Sequence, residues 1–331
     1  MKIFITGATG FIGSELVKEL LKRGHTVNAL YRNPERKNLP ENNKLRYFKG
    51  DILDKSSLLE PMEGCEIVFH LAAYAKVWAK DPEKFFMVNV EGTKNVLSCA
   101  KKLSIKKVIV TSTAGVLGPS DKDQINESSL RSKTFFTEYE RTKYLAEQEI
   151  ERFTREGLNV TTLLPTRLYG PGELNESNSV TVLIQKYIKG KWHILPGDGK
   201  KIGNYVFIKD VINGHINAME KNTPGEKFIL GGVNINYEDF FNLIGILSKK
   251  KQWLMPLPVF IMIFLSGIFG LMAMIFKIKP PITPGWVKKY LHHWNLSSKK
   301  AIRMLDYHIT PLEKGLLETI NWLETNIEIK N

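Results

Sequence analysis

Cysteine is nearly absent: Cys65 and Cys99 are the only two in 331 residues, and neither sits in a C-x-x-C or mixed His/Cys spacing. A disulfide framework and a thiolate metal centre are thereby excluded, no metal is expected, and two buried thiols in a reducing compartment are. Internal repeats and low-complexity tracts are missing, which excludes a solenoid. The first apolar run begins at Lys2, with no basic leader or small-residue cleavage site before it. A cytoplasmic location follows as the expectation. Acidic residues are scarce beside basic ones, 34 against 47, leaving a formal charge of +13. No recognition helix, zinc finger or aromatic RNA-binding motif accompanies that surplus, so the expected partners are phosphate-bearing ligands and an anionic membrane surface, not nucleic acid.

What is present alternates. Strand patterns at Lys2–Ile5, Thr26–Tyr31, Leu45–Phe48, Ile67–Leu71, Lys107–Thr111 and Asn159–Leu164 interleave with helical patterns near 12–23, 56–62, 83–102 and 137–155. This predicts an α/β fold, a Rossmann-type doubly wound parallel sheet over residues 1–170. A smaller, discontinuous C-terminal lobe over 171–331, with short returns to the sheet, is expected to bind substrate.

Between the first strand and the first helix stands Thr6-Gly7-Ala8-Thr9-Gly10-Phe11-Ile12-Gly13. Gly7 suits the tight turn, Gly10 lets the backbone approach a pyrophosphate, and Gly13 lets the helix pack on the strand. With the helix N–H groups of Phe11 and Ile12 facing an anion, the segment predicts a dinucleotide cradle. At the end of the second strand, where Asp or Glu would hold a ribose 2′-hydroxyl, the chain has Tyr31-Arg32-Asn33 with Arg36 and Lys37 close behind. Arg32 suits a 2′-phosphate, so NADP(H) is expected in preference to NAD.

Tyr139 and Lys143 lie four residues apart and share one face of a predicted helix. At about 5 Å and an effective dielectric near 20, an ammonium favours a phenolate by roughly 3 kcal/mol, or about two pKa units. Tyr139 is therefore expected to work as an acid or base near neutral pH. Tyr187…Lys191 and Tyr205…Lys209 repeat the spacing, but only Tyr139 follows the fifth strand of the sheet, at the carboxyl ends where ligands bind. Thr111-Ser112-Thr113-Ala114-Gly115 brings hydroxyls to the same crevice.

Together with Gly50-Asp51-Ile52, His70-Leu71-Ala72-Ala73, Asn89-Val90-Glu91-Gly92-Thr93 and the run from Leu164 to Gly172, these motifs resemble the extended short-chain dehydrogenases/reductases. Within that family the chain is most similar to the dihydroflavonol-reductase-like and 3β-hydroxysteroid-dehydrogenase-like branch. The resemblance implies that Tyr139 protonates a carbonyl oxygen, Lys143 binds nicotinamide-ribose hydroxyls and depresses the tyrosine pKa, and Thr113 orients the substrate oxygen. It implies further that Asp51 and Ile52 flank the adenine, Ala72 and Ala73 approach the phosphates or ribose, and Pro165 and Thr166 meet the nicotinamide side. Asn89 would support neighbouring backbone or a water chain. Tyr74, Val77 and Trp78 would line the mouth of a hydrophobic substrate pocket, and a homodimer is usual. The implied activity is reversible reduction of an apolar ketone. Two alternatives remain: a nucleotide-sugar epimerase or dehydratase retaining NAD, against which Arg32 and Leu117 count, and a non-catalytic redox sensor, against which Tyr139 and Lys143 count.

One segment breaks the pattern. From Gln252 to Phe276 no residue is charged, and Val259–Phe276 is apolar on every face. As a helix it would reach about 27 Å, close to the thickness of a bilayer core. Spanning would strand the family-like tail from Ile278 to Trp322 on the wrong side. The expectation for 257–276 is either a core or lid helix of the second lobe, covering the substrate site, or peripheral, monotopic membrane contact, with Lys249–Lys251, Lys277 and Lys279 meeting anionic headgroups.

Overall fold

The computed structural model describes residues 1–33, 39–121 and 123–328. Apolar runs too short for helices become strands, buried on both faces except in the edge strand Leu45–Lys49. They are Lys2–Thr6 (β1), Thr26–Tyr31 (β2), Leu45–Lys49 (β3), Ile67–His70 (β4), Lys107–Thr111 (β5) and Val160–Pro165 (β6). Arg167–Tyr169 (β7), Ile194–Pro196 (β8), Ile202–Phe207 (β9), Lys227–Leu230 (β10), Val233–Asn236 (β11) and Met255–Leu257 (β12) follow. The main sheet runs β10-β6-β5-β4-β1-β2-β3 with every pair parallel. A second sheet has the order β11-β9-β7, and β12 pairs with β8.

Helices Phe11–Lys22 (α1), Ser56–Met62 (α2), Glu83–Phe86 (α3), Gly92–Lys102 (α4) and Glu138–Arg155 (α5) accompany the main sheet. The remainder are Ser179–Ile188 (α6), Ile208–Glu220 (α7), Tyr237–Ser248 (α8), Val259–Phe276 (α9), Pro284–Tyr290 (α10), Lys299–Leu305 (α11) and Leu312–Glu328 (α12). Alternation along each strand divides the core into two layers. Ile3, Ile5, Phe69 and Ile109 pack with residues of α1 and α7, whereas Phe4, Val68, Val108 and Val110 pack with residues of α2 and α4.

The structure corrects two expectations. The single helix near 83–102 is interrupted by a π-helical turn, Met87–Glu91, between α3 and α4. A widened turn of this kind re-aims one side chain, and here it holds the buried Asn89. The core-helix alternative for 257–276 also fails: in α9 only Met262, Ser266 and Ala273 are buried, while Phe260, Phe264, Leu271, Met274, Ile275 and Phe276 are exposed.

Two buried histidines tie the layers together. Thr93 Oγ1 donates to Asn89 O at 2.7 Å, so it accepts from His70 Nε2 at 3.0 Å. His70 Nδ1 must then accept from Thr6 Oγ1 at 2.7 Å, and Thr6 in turn accepts from Ala72 N at 3.3 Å. His215 Nδ1 donates to Val211 O at 2.7 Å and its Nε2 accepts from Thr111 Oγ1 at 2.8 Å. Both rings need one bare nitrogen, and burial holds their pKa values at about 3 and about 4 respectively, below the ordinary 6.5.

The unfolded chain takes up these protons near pH 6.5, whereas the folded chain takes them up only near pH 3 to 4. Stability is thus expected to fall as pH drops below 6.5, by about 1.4 kcal/mol per unit for each histidine. Guanidinium unfolding across this range checks it, with His215→Gln expected to remove about half of the combined slope.

Candidate active site

The cradle is built from close approach. Gly7 has φ +71°, and a Cβ there would lie 2.6 Å from Ala72 N; one on Gly13 would lie 2.1 Å from Gly7 O. Gly10 caps α1 without a side chain, and no acidic residue stands in the first turn. Among the described residues the amides of Phe11, Ile12 and Gly13 find no backbone acceptor outside the helix. These donors, at the positive end of a helix dipole, suit a pyrophosphate. The Phe11 side chain is buried beneath Gly172, so only its amide is offered to a ligand.

Ala72 and Ala73 follow β4, with Ala72 resting on Gly7. Asp51 and Ile52 follow β3; Ile52 is buried against Gly92, while the half-exposed Asp51 accepts from Leu53 N at 3.0 Å. Arg32 extends past β2, exposed, with Nη1 3.7 Å from Asp51 Oδ2. The two residues expected at the adenosine end therefore meet in space. Arg36 and Lys37 lie outside the described residues.

Thr137 starts α5 by accepting from Glu140 N at 3.2 Å, which puts Tyr139 in the first turn and Lys143 one turn on. Lys143 is buried, and its Nζ donates to Thr111 O at 2.8 Å. Burial lowers its pKa to about 8, against the pull of the Glu147 carboxylate. Tyr139 departs from expectation. Burial, with the Glu140 carboxylate next to it, raises the phenol well above its ordinary value instead of lowering it. The physical reason is that loss of hydration penalises a phenolate more than a lysine bonded to the Thr111 carbonyl relieves it. In the ligand-free protein Tyr139 is a protonated acid.

The hydroxyls after β5 also divide. Thr111 is used by His215 and Ser112 donates to Glu147 Oε1, which removes both from the crevice. Thr113 accepts from Gly115 N at 3.2 Å and keeps its proton to donate. The competing tyrosines are structural: Tyr187 is buried in the second lobe, and Tyr205 stacks on Phe240 at 4.0 Å.

Asn89 links two parts of the site, accepting from Tyr74 N at 2.7 Å and donating to Thr142 Oγ1 at 3.0 Å. Tyr74 meets Phe85 edge-on at 4.8 Å, and Val77 N donates to Glu176 Oε2 at 3.3 Å. Glu176 also pairs with Lys279, just beyond α9. Trp78 is partly buried in the same loop. Pro165 ends β6 beside Leu230. The Thr166 hydroxyl is committed to Asn204 Oδ1 at 2.7 Å.

Sequence reasoning missed two residues. Glu140 is fully buried and anchors α5 through Arg131 at 3.2 Å and Lys289 at 2.9 Å. Arg167 sits among the rings of Tyr205, Tyr237 and Tyr290. Spacing gave no sign of their partners, since Lys289 and the three tyrosines lie far along the chain.

Comparison with known proteins agrees with this fold. The model of the NAD dependent epimerase/dehydratase family matches residues 3–231. Anthocyanidin reductase of Arabidopsis thaliana is 29% identical over 269 residues, covering 73% of this chain and 79% of that protein. The decarboxylating sterol-4-alpha-carboxylate 3-dehydrogenase of Mus musculus is 26% identical over 343 residues, covering 96% and 90%. Among solved structures, UDP-glucose 4-epimerase of Thermotoga maritima, with UDP-glucose, is similar with a TM-score of 0.80 at 26% identity, covering 99% of this chain and 100% of that one.

Gly13→Val is expected to weaken dinucleotide binding by about 100-fold or more, since overpacking forces α1 from β1. Gly267→Ala, where no atom lies within 4 Å of the new Cβ and the backbone is helical, should leave binding unchanged. Fluorescence titration with NADPH and NADH measures both.

Proposed function

The chain belongs to the NAD dependent epimerase/dehydratase family and is an NAD(P)-dependent enzyme; from that premise we propose that it is an NADPH-preferring oxidoreductase converting an apolar ketone reversibly to a secondary alcohol. The observation that carries the reading is that Lys143 of α5 bonds Thr111 O, the last carbonyl of β5 and two residues before Thr113, with Tyr139 one turn earlier on the same helix. Bound NADPH would supply hydride to the carbonyl carbon. The Thr113 hydroxyl orients the carbonyl oxygen. Tyr139, kept protonated by its surroundings, donates the proton that the oxygen needs as charge develops. Lys143, with its pKa of about 8, is largely an ammonium at neutral pH and favours the phenolate left behind.

The exposed guanidinium of Arg32 supports NADPH, and the rings of Tyr74 and Trp78 in the loop after β4 support a hydrophobic substrate. A second reading, a nucleotide-sugar epimerase with retained NAD, is favoured by the likeness to the UDP-glucose 4-epimerase. Net consumption of NADPH separates the two.

The reading extends to a membrane. α9 is the one described helix long and apolar enough to cross a bilayer. Both of its ends return to the same body, through β12 paired with β8 before it and Lys279 paired with Glu176 after it. Such tethering favours a helix lying lengthwise in one leaflet, with lysines at the headgroups.

Tyr139→Phe is expected to lower kcat by about 1,000-fold without loss of NADPH binding. In wild type, kcat/KM for reduction should fall as pH rises through about 8, where Lys143 loses its proton, and Lys143→Met should abolish that limb. Steady-state assays on a panel of apolar ketones measure both. Phe264→Asp with Ile275→Asp should stop flotation with phosphatidylglycerol vesicles; a wild type that never floats rejects the membrane reading.

A further inference from the structure

One buried carboxylate beside the reacting pair has no part in the chemistry described so far. Glu147 lies one turn beyond Lys143 on α5, both side chains are buried, and residues four apart share a helix face. The two are anchored on consecutive residues where β5 ends. Lys143 Nζ donates to Thr111 O at 2.8 Å, while Ser112 Oγ donates to Glu147 Oε1. Glu147 Oε2 lies 3.0 Å from Nζ of Lys227 on β10, and Lys227 also reaches Glu151 at 2.7 Å. Glu147 thus stands between a buried ammonium at the site and a part-exposed one toward solvent.

A neutral carbonyl such as Thr111 O does not by itself offset the hydration that a buried ammonium loses. Burial lowers the pKa of Lys143, and the Glu147 carboxylate acts in the opposite sense, leaving about 8. The charges on the other elements packed around α5 are used elsewhere or neutral. His70 on β4 is held neutral, and His215 of α7 bonds the Thr111 hydroxyl from the other layer with its pKa lowered to about 4. Glu83 and Lys84 of α3 face solvent, Glu91 pairs with Lys94 at 3.6 Å, and Lys101 pairs with Glu156 just beyond the end of α5. Glu140, one turn before Lys143, is taken by Arg131 and Lys289.

We propose that Glu147 is a positioning residue for the reaction: its carboxylate, clamped by Ser112 and Lys227, keeps Lys143 charged and seated on the Thr111 carbonyl, poised toward a nicotinamide ribose. The role rests on the reductase reading above, in which Lys143 meets the cofactor. A carboxylate present only to brace β10 against α5 would leave the charge of Lys143 untouched.

The proton on Lys143 is read without a substrate, by fluorescence titration of the full chain with NADPH between about pH 6 and 9.5, relative to Lys143→Met, which retains only the titration of the ligand phosphates. On that scale wild-type affinity is expected to fall as pH rises through about 8, where the ammonium is lost. Glu147→Gln keeps an acceptor for Ser112 but no charge, and should bring the fall about one unit lower in pH, so that NADPH binds several-fold more weakly than to wild type between the two midpoints. Lys227→Met removes the outer partner and keeps the carboxylate, and should not lower the midpoint. A midpoint that Glu147→Gln leaves in place, or that Lys227→Met lowers equally, reveals a brace and overturns the assignment alone. A chain that binds no NADPH at any pH overturns the reductase reading and the assignment with it.

Discussion

The architecture of the site depends on a neutral imidazole. His70 can receive from Thr6 and give to Thr93 only while one of its nitrogens is bare, and through those two hydroxyls it connects β1, β4 and the π-helical turn. Asn89, held in that turn, fixes the backbone of Tyr74 on one side and Thr142 of α5 on the other. The loop at Tyr74 and the helix bearing Tyr139 and Lys143 are thus positioned by one chain of hydrogen bonds among buried and part-buried groups. Burial strengthens each bond and makes any missing member costly.

Much of this was legible in the sequence. Strand positions followed from apolar runs bounded by glycine and polar turns, and the cradle from three glycines at a strand-to-helix junction, because both signals are local. The π-helical turn was not legible, since it differs from an α-helix by one inserted residue whose justification, Tyr74, lies 15 positions away. Ser112 looked like a site hydroxyl until Glu147 took it, and the sign of the Tyr139 shift depends on how much water reaches the ring. Arg167 was plain in its motif, but its three tyrosines are spread from 205 to 290. Long-range partners decide such residues, and spacing alone does not encode them.

The apolar helix α9 and the guanidinium of Arg167 sit in contrasting surroundings. One offers a large greasy surface with cations at its margin; the other offers a cation inside an aromatic shell. Glu176 joins the end of α9 to the loop after β4, holding the Val77 amide with one oxygen and Lys279 with the other.

The placement of β10 has a consequence for biosynthesis. Residues 227–230 pair with β6, and α7, at 208–220, covers part of the layer that Ile3, Ile5 and Ile109 line. A nascent chain that has delivered only its first 170 residues from the ribosome carries β6 as an unpaired edge and leaves that layer open to water. The nucleotide-binding half therefore completes its fold after the second lobe has emerged, and the interval is one in which a chaperone would find an exposed strand to hold.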